Sequence, residues 1–366
     1  VYIIRHRAVN YRNLTSIEIK PCNGVNVVCG LNGQGKTNLL ESIFMQTGAK
    51  GFRAGKDRDY IKKGELFASV DSEFFSQSRE QKISLKISEK GREGSLNGGN
   101  TVKASSLVGS LRCVLFSPEH LMLIKGSPDQ RRRFIDTSLC QISPKYLDEL
   151  RRYTRLVYQK NNLLKESRYI EAADNMLDVY DEQIVTSAML ITEMRRDFTD
   201  RIASEASAYY DGISGLREKL SIEYDSVIWK NEIDFETGIS SVRASRSNDC
   251  KLGYCTLGPH RDDMSVSLDG ADSRLYASQG QQRSAVLSMK LAEAVVMEKS
   301  TGEKPILLLD DVLSELDIGR REMLIENIKH GQAVITCCDP EPLVSEVGVS
   351  VFEIEAGSIR QDDSIG

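Results

Sequence analysis

A mixed α/β sheet with flanking helices, interrupted by an inserted helical lobe, follows from three features of the 366-residue sequence. A strand, a glycine-rich loop and a helix succeed one another between positions 25 and 45. A β-α-β passage runs from Ile306 to Thr336, and apolar residues at helical spacing fill a charged stretch between 144 and 210.

Taken in order, Ile17-Glu18-Ile19-Lys20 alternates like a half-buried strand, whereas Val25-Asn26-Val27-Val28-Cys29 reads as a more buried one. Lys36–Met45 then places Leu39, Leu40, Ile43 and Phe44 on one helical face. Residues 66–116 mostly alternate, as in Lys82–Ile87, with turn composition at Asn97–Asn100, which predicts an antiparallel region. Leu150, Tyr153, Val157 and Leu164, then Leu177, Tyr180, Ile184, Ala188 and Ile191, predict two helices over Pro144–Ser167 and Asp174–Tyr210, turning near Ser167–Asp174. Strand character returns around Leu220–Trp229 and Met264–Leu268, before a long helix over Gln281–Lys299. Ile306-Leu307-Leu308-Leu309 lacks polar alternation and suits a parallel strand covered on both faces; a helix over Ile318–Lys329 and a strand over Ala333–Thr336 follow. The expected domains are a discontinuous sheet lobe, 1–125 with 215–366, and a helical arm lobe, 126–214.

Composition narrows the class. Apolar residues at 40% and charged residues at 28% exclude a disordered, collagen-like or disulfide-stapled chain. The eight cysteines form no C-x-x-C unit, and Cys250, Cys255 and His260 lack a fourth ligand and the usual zinc spacing. No apolar run approaches the roughly 18 residues that span a bilayer, so the expectation is a cytoplasmic protein without a membrane partner. A net charge of -5 means that any nucleic-acid contact must use a local basic surface.

The segment Gly30-Leu31-Asn32-Gly33-Gln34-Gly35-Lys36-Thr37 fits G-x-x-x-x-G-K-[ST] between strand and helix, with Asn38 next. Glycines let successive N–H groups converge on phosphate oxygens at a helix N-terminus. Lys36 reaches the β and γ phosphates, and Thr37 ligates Mg²⁺. Asp310 ends the Ile306 strand, where such folds place a carboxylate that holds Mg²⁺, and Asp311 is positioned to orient or deprotonate a water. Ahead of that strand, Ser278-Gln279-Gly280-Gln281-Gln282-Arg283 opens a helix; by itself it reads more simply as a plain helix N-cap than as an anion site.

The order of these motifs resembles the ABC-type head domains of chromosome-maintenance ATPases and, more closely, the bacterial recombination family RecF. Asn10-Tyr11-Arg12-Asn13, Phe116-Ser117-Pro118-Glu119, Gly126-Ser127-Pro128 through Arg131-Arg132-Arg133-Phe134, and Gly258-Pro259-His260-Arg261-Asp262-Asp263 carry the likeness over nearly the whole chain. Without it, the last stretch reads as a turn bearing a solvated charge cluster. The resemblance implies a P-loop head that binds ATP and Mg²⁺ and forms an ATP-dependent homodimer. Lys36 and Thr37 of one copy would then face Ser278, Gly280 and Gln281 of the other. It further implies weak DNA-stimulated ATPase activity, binding to double-stranded and gapped DNA, and partnership with RecR and RecO in loading a strand-exchange protein. Many such heads carry a histidine where this chain has Cys337-Cys338, which implies slow turnover. Arg131–Arg133 with Arg151, Arg152 and Arg155 form a basic concentration suited to DNA phosphates, or a solvated ion-pair face. Other readings are an ABC subunit of a transporter, which predicts a short helical insert rather than the long one at 144–210, and a binding module whose hydrolysis is incidental.

Overall fold

The computed structural model describes residues 1–48, 56–166, 173–338 and 349–361. Strands β1 (Tyr2–Tyr11) and β2 (Leu14–Ile19) form a hairpin; β3 (Val25–Cys29), buried along its length, leads through the glycine-rich loop into α1 (Lys36–Met45). β4 (Phe67–Ser76), β5 (Arg79–Ser88), β6 (Gly91–Leu96) and β7 (Val102–Lys103) extend the first hairpin, and β8 (Cys113–Phe116) follows. The helices α2 (Met122–Lys125), α3 (Pro128–Ile142), α4 (Pro144–Glu166) and α5 (Ala173–Ser214) come next. Then come β9 (Leu220–Asp225), α6 (Phe235–Leu252), β10 (Asp263–Leu268), β11 (Ala271–Asp272), α7 (Ser273–Tyr276) and α8 (Gln279–Thr301). The chain closes with β12 (Ile306–Asp310), α9 (Ile318–Ile328), β13 (Ala333–Cys337), β14 (Ser350–Glu355) and β15 (Ser358–Gln361).

Two units result: Val1–His120 with Gly212–Ser214 and Val286–Gly366, and Leu121–Asp211 with Gly215–Ala285. In the first, an antiparallel sheet of order β2-β1-β4-β5-β6-β7 and a largely parallel sheet of order β15-β14-β3-β13-β12-β8 enclose α1. Leu39, Leu40 and Ile43 of α1 are fully buried and share one core with Val28, Leu308 and Val334 of the parallel sheet and Ala8, Val70 and Phe74 of the other. Full burial of each large apolar side chain contributes about 1.5–3 kcal/mol. A neutral polar network threads this core: His6 bonds Ser72 Oγ and Ser42 Oγ, each at 2.8 Å, and Ser72 Oγ donates to Gln46 Oε1 at 2.5 Å. Burial pushes the His6 imidazole down to about 3.

The second unit joins its helices to the antiparallel sheet β11-β10-β9. Leu164, Leu177, Ile184, Ala188 and Ile191 are buried at the expected helical spacing, while the expected turn at Ser167–Asp174 falls largely on 167–172, outside the described residues. Gly258-Pro259-His260-Arg261-Asp262-Asp263 is a packed hub rather than a solvated turn. Asp263 makes a bidentate pair with Arg131 at 2.7 and 2.8 Å, Arg195 donates to the Pro259 carbonyl at 2.6 Å, and buried Asp262 accepts from Tyr224 Oη and Val227 N. Gly258, at φ +131°, has no room for a side chain, because a Cβ there would lie 2.2 Å from Tyr153 Oη.

Three expectations change. Residues 215–285, assigned from sequence to the nucleotide lobe, pack with the helical unit, drawn there by the hub's ion pair to α3 and its hydrogen bond from α5. β8, within the region read as antiparallel, is buried on both faces and pairs parallel with β12, because Cys113-Val114-Leu115-Phe116 has no polar alternation. Helix α6 was not anticipated, although its caps are legible: Asp234 accepts from Thr237 N at 2.7 Å, and Gly253 closes the helix at φ +76°.

Candidate nucleotide site

Strand β3 delivers the chain to the loop 30–35 at the carboxyl edge of the parallel sheet, and α1 leaves from Lys36. Gly30, Gly33 and Gly35 have φ of +145°, +82° and +116°, a region costly for residues with a Cβ. At Gly30 a Cβ would sit 2.4 Å from the Ile354 carbonyl, so β14 braces the loop from behind. Asn13 adds a second brace by donating to the Gly33 carbonyl at 3.0 Å and accepting from Asn38 Nδ2 at 2.7 Å. Gln34 Oε1 accepts from Ala356 N at 2.6 Å, and Leu31 projects outward, 76% exposed. Lys36, otherwise buried, is folded onto the loop, its ammonium donating to the carbonyls of Gly30 and Leu31.

Asp310 reaches this loop from a point 273 residues away. Thr37 Oγ1 donates to Asp310 Oδ1 at 2.7 Å, and Thr336 Oγ1 lies 3.0 Å from the same oxygen. The reason is the sheet register, in which Asp310 pairs with Thr336 and β13 pairs with β3, so three strand ends share one edge. Asp311 is exposed, with φ +52°; its N–H donates to Thr336 Oγ1 at 3.0 Å, and Ser314 Oγ donates to its carbonyl at 2.8 Å. A non-glycine residue in the left-handed region at the mouth of a site is a common form of stored backbone strain.

The oxygen set of Thr37 and Asp310 is the hard-donor pair that suits Mg²⁺, and the braced loop with its positive-φ glycines suits a polyphosphate. Sequence reasoning missed Asn13 and Thr336, which contact the loop and Asp310, and the support that Arg12 gives to α1 through Glu41. Arg12 forms a bidentate pair with fully buried Glu41 and stacks 4.8 Å from the Tyr60 ring centroid. Thr336 could have been found, since it ends a strand beside the Asp310 strand. Cys338 has its Sγ 3.3 Å from Asn32 Oδ1.

Ser278, Gly280 and Gln281 belong to the second unit. Ser278 caps α8 reciprocally: its Oγ accepts from Gln281 N at 3.3 Å, and its own N–H donates to Gln281 Oε1 at 2.6 Å. The N-cap reading is therefore correct locally, and Ser278 remains exposed. The basic cluster splits. Arg131 and Arg132 are engaged within the unit, with Asp263 and with Asp129 and the Asp262 carbonyl, whereas Arg151, Arg152 and Arg155 line an open hollow of about 670 Å³.

Comparisons with known proteins agree with this geometry. Residues 2–355 match the family described as RecF/RecN/SMC N terminal domain. The chain is 39% identical to a DNA replication and repair protein RecF of Agathobacter rectalis, covering 97% of each chain, and 37% identical to its namesake in Macrococcus caseolyticus, covering 96% and 97%. Among solved structures, the recombination mediator protein RecF with ATP superposes with a TM-score of 0.92 at 32% identity, covering 99% of this chain and 97% of that one. The Smc head domain of Pyrococcus furiosus, at 17% identity and a TM-score of 0.56, shares the fold. No helix among the described residues is long and apolar enough to cross a membrane. With its phosphate loop, strand-end carboxylate and serine-capped helix in the expected order, and with relatives above 35% identity along nearly its full length, the chain belongs to the RecF family.

Proposed function

We propose that this protein is an Mg-dependent ATPase acting in recombinational repair as an ATP-gated dimeric clamp on double-stranded and gapped DNA. RecR and RecO would be its partners in loading the strand-exchange protein. The observation that supports this reading is the Thr37–Asp310 contact, a hydroxyl and a carboxylate suited to Mg²⁺ at the end of a glycine loop suited to phosphates. The names of the relatives supply the repair context.

Lys36 and the loop amides of residues 30–38 bind the β and γ phosphates, with the α1 N-terminus adding its positive end. Thr37 and Asp310 hold Mg²⁺, which when bound neutralises phosphate charge. Asp311 orients or deprotonates the attacking water. Ser278, Gly280 and Gln281 of a second copy complete the site, so ATP joins two subunits and hydrolysis releases them. With Cys337-Cys338 where many heads have a histidine, turnover is slow. Arg151, Arg152 and Arg155 supply backbone-phosphate contacts.

Light scattering with and without ATPγS tests the clamp. The wild-type chain pairs only with nucleotide, Lys36→Ala remains single, and Asp311→Asn accumulates as an ATP-bound pair. Full pairing by Lys36→Ala would overturn the proposal.

A further inference from the structure

The capping amide of Gln281 is itself held from outside its helix. Its Nε2 donates to Glu218 Oε1 at 2.6 Å, and the other oxygen of that carboxylate accepts from Tyr210 Oη at 2.8 Å. Tyr210 is 1% exposed and lies near the end of the 42-residue helix α5. The side chains of Tyr210, Glu218 and Gln281 thus form one chain of hydrogen bonds that ends on the backbone N–H of Ser278. All four belong to the same unit.

The direction of each bond follows from the groups. A carboxylate only accepts, so Glu218 obliges Gln281 to turn its NH₂ toward it. The amide oxygen must then face Ser278 N–H, which is what the capping box requires. Without the carboxylate the Gln281 side chain has no such constraint; it can flip or swing, and Ser278 N–H loses its partner. An ionised acceptor also makes the bond roughly twice as strong as a neutral one.

We propose that Glu218 is a positioning residue that sets the shape of the Ser278 loop through Gln281 and ties it to the end of α5, so that the lie of the helical arm tunes ATP-dependent pairing. The inference rests on the reading of Ser278 as the group offered to a second copy's nucleotide. Glu218 touches no phosphate in this scheme and acts only through Gln281.

The test uses the full chain and two readouts. One is the affinity of the unpaired chain for a fluorescent ATP analogue, taken at protein concentrations below pairing. The other is the protein concentration at half-maximal dimerisation with ATPγS. Glu218→Ala should raise the pairing midpoint about tenfold, equivalent to about 1.4 kcal/mol, with nucleotide affinity of the single chain within about twofold of wild type. Tyr210→Phe, which removes one hydroxyl, should give a smaller shift in the same direction. Glu218→Gln should restore most of the loss, because its carbonyl can still accept from Gln281. If Glu218→Ala weakens nucleotide binding and pairing equally, or melts early without rescue by Glu218→Gln, the residue is merely structural and the inference falls. Ser278→Arg separates the two layers. If it blocks pairing while Glu218→Ala and Tyr210→Phe pair normally, this inference alone is lost; if Ser278→Arg itself pairs normally, the reading beneath it fails as well.

Discussion

The two units solve the same packing problem with different chemistry. Around α1 the faces that meet are apolar, and the polar groups among them, His6, Ser42, Ser72 and Gln46, are neutral. Charged pairs in that unit are separate from one another: Arg12 reaches the fully buried Glu41 from 29 residues away, Arg112 pairs with Glu303, and Lys290–Glu293 lies one helical turn apart. In the helical unit, buried ions join separate elements. Lys160 of α4, 1% exposed, bridges Asp181 of α5 at 2.7 Å and Asp249 of α6 at 3.7 Å, while Arg246 also reaches Asp181. Arg195 joins α5 to Asp136 of α3, and Arg131 joins α3 to Asp263 of β10. A buried pair adds little net stability but penalises every arrangement that separates it. We infer that the helical unit uses a linked set of buried ions to select one helix register, whereas the sandwich relies mainly on side-chain shape, with Arg12–Glu41 as an isolated buried pair.

The sharpest way to break this contrast is Lys160→Ala. Asp181 and Asp249 lose their shared cation, and the expected loss is about 3 kcal/mol in urea unfolding, at the low end for a broken buried pair because Arg246 still faces Asp181. Lys160→Met combined with Asp181→Asn and Asp249→Asn should recover most of that loss; no recovery would mean that the ions contribute more than register. Next in size, Arg131→Ala should cost about 2 kcal/mol, since Asp263 is one-third exposed and can be rehydrated. It should leave the salt dependence of DNA binding unchanged.

The sandwich should instead reveal itself in acid. His6 titrates near 3 when folded and near 6.5 when unfolded, so between those values the unfolded chain binds the extra proton. Stability from this residue is complete above about pH 6.5 and falls, as pH drops toward 3, by up to about 1.4 kcal/mol per pH unit. His120, lowered by burial and by nearby Lys290, acts in the same direction. His6→Gln should therefore shallow the acid limb of a denaturation series without flattening it; an unchanged slope would exclude His6 as a source. The smallest structural effect belongs to Arg155→Ala. It should leave the unfolding transition in place and reduce the salt slope of duplex binding by about one. An unchanged slope would remove Arg155 from the DNA surface.

Legibility follows range. Lys36–Met45 is a helix over the span its apolar spacing predicts, and Leu39, Leu40, Ile43 and Phe44 are buried as that spacing requires. Glu41, in the middle of the same helix, gave no sign that it would be fully buried, because its partner Arg12 lies 29 residues earlier. Ser278 was readable as a helix cap, yet Glu218, 63 residues from Gln281, carries no motif. Arg131, Arg132 and Arg151 look alike in sequence, yet Arg131 pairs with Asp263, 132 residues away, whereas Arg132 and Arg151 each pair with an aspartate three residues back.

Local rules settled the glycine loop, α1 and the parallel strands: glycine is favoured where φ is strongly positive, period distinguishes helix from strand, and an unbroken apolar run demands cover on both faces. Folding in three dimensions settled the rest: that 215–285 joins the helices, that Thr336 shares Asp310 with Thr37, and that the helical unit is threaded by ions. Backbone preference and side-chain periodicity act over a few residues and leave a pattern in the chain. A charge or hydrogen-bond partner is chosen by distance in space, and linear spacing does not record it.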